Sequence, residues 1–289
     1  MSAAMPALAA PRRWVAWCLS TPAGRFSAIV LVIFAASALL APWLTPYDPN
    51  HISVYERLAS PSWQHWLGTD QIGRDMLTRV LYGARVALAI SVGCTSVSLI
   101  LGVAFGALAG VGPRVLDAAL MLLFDTINSL PTVLLALAIM TLIGSSLPTL
   151  MGLIVLFYVP YFGRIARGQT RVLVEAPFIE AERMLGASTW RILRDHLMPN
   201  LLGPMAIIAS MEMPSVISLE AGLSFLGLGV RAPTATWGNI LQDGYIFIRD
   251  TPWIAIAGGV PLVLTTLAFT FLGEMLRDRL DPKLRKEVT

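Results

Sequence analysis

Charge is the first thing this sequence is short of. Only 13% of its 289 residues are Asp, Glu, Lys or Arg, about half of what a water-soluble domain spreads over its surface. That shortage excludes an ordinary soluble protein. The 56% of hydrophobic residues excludes disorder as well. Lysine is nearly missing, since Lys283 and Lys286 are the only two among 21 basic residues. A nucleotide-binding P-loop needs a lysine behind a glycine-rich turn, so the chain is not itself an ATPase. The net charge of +3 has no dense basic patch behind it, which argues against a nucleic-acid partner. Cys18 and Cys94 imply no disulfide framework. His51, His65 and His196 are too scattered for a metal site and are expected to be exposed or interfacial. The sequence has no Gly-x-Ser-x-Gly elbow, no His-Glu-x-x-His pair and no catalytic carboxylate pair. No catalytic residue, metal or cofactor is therefore expected in this chain.

What the sequence does have is long apolar runs: Phe26 to Leu44, Val86 to Val111, Val115 to Leu142, Thr149 to Ile165, Leu202 to Leu223 and Trp253 to Leu276. A bilayer core takes roughly 20 helical residues, so an all-α membrane protein with six transmembrane helices is predicted. Ala36-Ser37-Ala38 resembles a signal cleavage site, but the apolar stretch continues past it, and an uncleaved anchor is expected. Pro131 and Pro214 fall inside spans, where a missing N–H and a ring clash should kink the helix. Gly102, Gly106 and Gly110 form a strip on which another helix backbone can pack closely.

Arg12, Arg13, Arg25, Arg114, Arg164, Arg167 and most of the other basic residues lie on the side of the N-terminus. Arg57, Arg74, Arg79, Arg85, Arg231 and Arg249 lie on the other. The positive-inside rule then makes both termini cytoplasmic. The chain divides into a flank at 1–25, a first transmembrane helix at 26–44, an extracytoplasmic loop at 45–85, a permeation core at 86–276 and a tail at 277–289. Within the core, the inner loop at 168–200 carries Glu175, Glu180, Glu182, Arg183, Arg191 and a central Gly186. It is expected to form two short amphipathic helices joined by a turn, and to touch something in the cytoplasm.

Glu180-Ala181-Glu182, then Gly186-Ala187-Ser188-Thr189-Trp190-Arg191, then His196-Leu197-Met198-Pro199 closely resembles the EAA loop of ABC importer permeases, with Glu182 in place of the second alanine. The resemblance implies that this loop docks separate ATPase subunits. The spacing also has a physical reading. Gly186 permits a turn that a β-carbon is expected to crowd, and Pro199 can open the next span without wasting an N–H.

A second stretch, Gly68-Thr69-Asp70-Gln71-Ile72-Gly73-Arg74-Asp75, looks like the signature of the dipeptide, oligopeptide and nickel permease family. So do Glu220 to Gly229 with Pro233 and Trp237-Gly238, and the segment from Leu272 to Pro282. These matches run from Tyr47 to Leu284 and favour the shorter of two permease subunits. Gly258, Thr270 and Glu274 depart from the residues usual there.

The resemblance implies a type I importer permease fold in a bacterial inner membrane. It also implies a homologous second permease, two ATPase subunits or domains holding ATP and magnesium, and an extracytoplasmic solute-binding protein received by the 45–85 loop. Di- or oligopeptides are the implied substrate. Nickel or another metal chelate, opines and glutathione are the alternatives. An ion-coupled secondary carrier is less favoured, because no inverted repeat is visible.

Candidate pathway residues are Asp125, Glu212 and Glu220, with Ser224 and Phe225 at an outer gate. For Glu220, a structural role holding the outer loop and a contact with substrate are both open. Glu212 stands where a small or apolar residue is expected. An ionisable group at that depth should face a water-lined cavity.

Overall fold

The computed structural model describes residues 19–280. Arg12, Arg13, Cys18, Lys283 and Lys286, with the rest of 1–18 and 281–289, lie outside them. Among the described residues the chain is helical, apart from an isolated bridge between Thr69 and Asp75.

Helix α1 (Pro22–Leu44) starts where Thr21 caps it. The Thr21 hydroxyl accepts the Gly24 N–H at 3.1 Å, and Pro22 occupies the first turn. Ile29, Val32, Ile33 and Leu39 stay exposed along it, as lipid contact requires.

Helix α2 (Met76–Leu88), a π-helical turn at Ala89–Cys94 and α3 (Thr95–Val111) form one rod of 36 residues. At 1.5 Å per residue it is about 54 Å long, well beyond the roughly 30 Å hydrocarbon core. It begins well before the expected Val86, because Asp75 caps it and because Arg79, which interrupts the hydropathy signal, is buried against protein.

The predicted span at Val115 to Leu142 is broken, not merely kinked. Helix α4 (Arg114–Asn128) and α5 (Thr132–Ile143) meet at 85°. Pro131 restrains Leu130 away from helical geometry and becomes the N-cap of α5. With this pair counted as one, the described residues hold six candidate spans, and five without it.

Helix α6 (Leu147–Val174) continues past Ile165 to α7 (Pro177–Met184). Next come a short turn of helix, α8 (Thr189–Arg191), a π-helical stretch at Ile192–Leu197 and α9 (Met198–Phe225). These last three make a continuous rod of 37 residues. The inner loop therefore holds one free-standing amphipathic helix, and the second one expected there is the start of the α9 rod. Pro199 does not open a span. It sits just after the π-helical stretch, where the backbone ladder has already shifted register and Met198 bonds to the Leu193 carbonyl. Pro214 is buried within the same rod without breaking it. Helices α10 (Trp237–Ile246) and α11 (Trp253–Leu280) complete the fold.

Two packings hold these rods together. Along α3, Gly102 faces Phe162 and Gly163, Gly106 faces the Gly163 carbonyl and Ala166, and Gly110 faces Thr170. The glycine strip brings the α3 and α6 backbones together, as small residues do in membranes. Elsewhere α1, α2, α10 and α11 close around Phe34, Met76, Trp237, Ile254 and Phe269. The Trp237 indole N–H donates to the Val80 carbonyl at 3.0 Å, and its ring lies over Gly83.

Candidate coupling turn and pathway face

Helix α7 is anchored by one residue. Ile179 is fully buried in a cluster with Ala107 of α3 and with Ile192, Leu197 and Leu201 of the α9 rod. The chain then reverses tightly. The Leu185 N–H bonds to the Ala181 carbonyl at 3.1 Å, Gly186 to Arg183 at 3.0 Å and Ala187 to Glu182 at 3.0 Å. Gly186 has φ +83°, which a residue with a β-carbon adopts only at a cost. The space around it is open, with nothing within 4 Å of an added Cβ. The expected crowding is therefore corrected: Gly186 is needed for its backbone angle.

Ser188 caps the next rod by accepting the Arg191 N–H at 3.3 Å, and His196 lies 3.5 Å from Glu182 across the turn. Met184 is 85% exposed, Leu185 83% and Trp190 66%. Phe178, Glu180, Ala181, Arg183, Arg191 and Pro199 are also at the surface. Large apolar side chains thus stand interleaved with charges on the outside of this turn.

The Gly68 to Asp75 motif folds inward. Gly68 and Gly73 have φ +75° and +78°, and their backbones press on Ala59 and Ser53. The Asp70 carboxylate accepts the N–H of Ile72 at 3.0 Å and of Arg74 at 2.9 Å. It lies 2.6 Å from the Arg74 guanidinium and 3.6 Å from that of Arg79. The Thr69 hydroxyl accepts the Ala59 N–H at 2.9 Å and donates to the Glu56 carbonyl. Asp75 caps α2, accepting the Thr78 N–H at 2.8 Å and its hydroxyl at 2.7 Å.

His65 departs from the expectation of an exposed or interfacial side chain. It is buried, with Nδ1 2.8 Å from Asp75 and Nε2 3.6 Å from Glu56. His51 is exposed and His196 half-buried. Asp243 of α10 closes this polar knot beside Gln71 and Arg79, and burial pushes its carboxyl above the ordinary range.

The acidic candidates separate. Glu220 is 2% exposed, accepts the Ser224 hydroxyl at 2.6 Å and lies beside Thr236. Gly229 and Gly238 pack directly on Ser224. This pair ties α9 to the 229–238 segment. Phe225 stays at the surface, edge-on to Tyr245 at 5.7 Å. Glu212 is half-buried and accepts the Tyr161 hydroxyl at 2.6 Å. One turn along α6 from Tyr161, Arg164 lies 3.7 Å from the exposed Asp125.

Asp117 is a residue that reading the sequence missed. It binds the Arg167 guanidinium through both oxygens and lies 2.5 Å from Arg171, locking α4 to α6. Its signal was available: an acid in an apolar run, with two arginines four residues apart on a neighbouring span.

Comparison with known proteins decides the lineage. Residues 102–286 match the family model described as the binding-protein-dependent transport system inner membrane component. The chain belongs to this family of transport permeases.

Residues 20–61 of this permease also match the N-terminal TM domain of oligopeptide transport permease C. It is 34% identical over 257 residues to the probable D,D-dipeptide transport system permease protein DdpC of Escherichia coli K12, covering 89% of this chain and 86% of that one. It is 37% identical to the dipeptide transport system permease protein DppC of Alkalihalophilus pseudofirmus, covering 89% and 84%. It is 36% identical to the glutathione transport system permease protein GsiD of Pectobacterium atrosepticum, covering 95% and 90%. Its fold is that of a chain in the inward-facing MetNI methionine ABC transporter, with a TM-score of 0.59 over 71% of this permease and 98% of that chain, at 19% identity.

Proposed function

We propose that this permease forms half of the translocation pathway of an ATP-driven importer of di- or oligopeptides. A homologous permease supplies the other half, an extracytoplasmic binding protein delivers the peptide, and two separate ATPase subunits hold ATP and magnesium. The observation that carries this reading is the α7 turn. It is anchored through Ile179 to α3 and the α9 rod, with Leu173 and Val174 of α6 packed on the same cluster, yet presents Met184, Leu185 and Trp190 outward. A rigid element of this kind passes movement of a docked partner into α6 and α9. ATP binding then biases the pathway between its two states only through differential affinity for the closed ATPase pair.

The arginines around α7 support a cytoplasmic position for this turn, and with it for both termini. The polar knot at 53–75 then lies on the binding-protein side. Peptide-permease relatives support the substrate, and the glutathione permease relative makes glutathione the second reading.

The test is co-purification of the complex in lipid, native against Gly186→Pro. Proline cannot adopt φ +83°. Loss of the ATPase subunits, or of their peptide-stimulated activity, supports the reading. An unaffected complex, or uptake driven by an ion gradient without ATPase, overturns it. Competition of dipeptide uptake by glutathione separates the two substrates.

A further inference from the structure

Glu212 lies mid-way along a membrane rod, and among the described residues no Arg, Lys or His comes within ion-pair distance of it. Such a carboxylate persists in a span when it faces water or a partner's charge. Its surroundings point to water. On the same face of α9, Ser215, Ser218 and Gly222 are exposed, a small and polar stripe. A lipid-facing helix carries large apolar residues instead, as α1 does at Ile29, Val32 and Leu39.

The carboxylate is also positioned. The Tyr161 hydroxyl holds Oε1 at 2.6 Å. Tyr158 stands 6.3 Å from the Tyr161 ring at 74°, so two aromatic rings lie close to the carboxylate. The nearest charges on α6 are already satisfied: Arg164 pairs with Asp125 at 3.7 Å and donates to the Phe124 carbonyl at 3.4 Å. A fixed carboxylate beside aromatic rings attracts an organic cation by ion pairing and by the negative ring faces.

We infer that Glu212, Tyr161 and Tyr158 form a station in the pathway for the ammonium or guanidinium groups of the passing peptide, so that the permease itself favours cationic cargo. This rests on the peptide-pathway reading above.

The test uses the whole complex in vesicles with saturating binding protein, so that capture does not limit the rate. Initial uptake is compared for a lysine-containing dipeptide and its glutamate counterpart. In Glu212→Gln the lysine-to-glutamate rate ratio is expected to fall roughly five-fold, the size of one partly exposed ion pair. Tyr161→Phe, which keeps the carboxylate, should retain most of the preference. If Glu212→Gln slows both peptides equally, the charge selection is wrong while the pathway position stands. If neither rate changes, the pathway position of Glu212 fails as well.

A second measurement does not depend on the Gln variant assembling. Ser218→Cys, with Cys18 and Cys94 replaced, should favour a cationic over an anionic methanethiosulfonate reagent by a larger rate ratio than a free thiol in solution does. A ratio no larger than that of the free thiol overturns the inference.

Discussion

Gly106 of α3 packs so tightly on the Gly163 carbonyl of α6 that a Cβ added to Gly106 would overlap that oxygen and the Ala166 methyl. Backbones this close leave no room for repacking, because both sides of the contact are main chain. Gly106→Leu is therefore expected to destabilise the assembled permease by about 1–3 kcal/mol, as overpacking does. Gly152→Leu, where an added Cβ meets nothing within 4 Å, should leave stability nearly unchanged. Thermal melts of the two purified variants check this. Equal melts would mean that α3 and α6 are not so close.

At Gly186 the backbone angle and not space is limiting, so substitutions should rank by their tolerance of positive φ. Asn should be milder than Ala, which costs about 1–2 kcal/mol in the left-handed region, and Pro should be worst. The readout is the fraction of complex that retains its ATPase subunits. If crowding controlled the site, Asn would be worse than Ala.

Asp117 should couple α4 to α6. Asp117→Asn leaves the Arg167 guanidinium without its carboxylate and is expected to lower stability by roughly 1–2 kcal/mol. A double-mutant cycle of Asp117→Asn with Arg171→Ala should show non-additivity. Additive effects would mean that Arg171, half exposed, takes no part in the lock.

The two roles of Asp75 can be separated. Asp75→Ala removes the α2 cap, worth about 1 kcal/mol, and also the acceptor for His65. Asp75→Ser keeps a capping oxygen but loses the reach to His65. Hydrogen exchange at the Thr78 amide should rise strongly in the Ala variant and little in the Ser variant, while both free the 53–65 loop.

The sequence alone determined what the bilayer demands. Hydrocarbon requires long uncharged runs, so the spans of α1, α3, α6, α9 and α11 were legible from hydropathy. The Glu180 to Pro199 and Gly68 to Asp75 patterns were legible by their resemblance to known permeases, while the positive φ that Gly68, Gly73 and Gly186 supply became visible only in the structure. The glycine strip of α3 was legible from its spacing.

Only the tertiary structure decided the rest, because it depends on groups far apart in the chain. Met76 and Thr189 start rods that hydropathy places later: Thr78 and Arg79 in the first turn of α2 are polar residues sheltered by protein, while Thr189, Trp190 and Arg191 form an exposed first turn capped by Ser188. The 85° break at Pro131 follows from how α4 and α5 pack, which one proline does not specify. Glu220 and Glu212 look alike as acids in the same helix. One is turned inward to Ser224 and the other held half-buried by Tyr161, 51 residues away, and only the arrangement of helices separates the two.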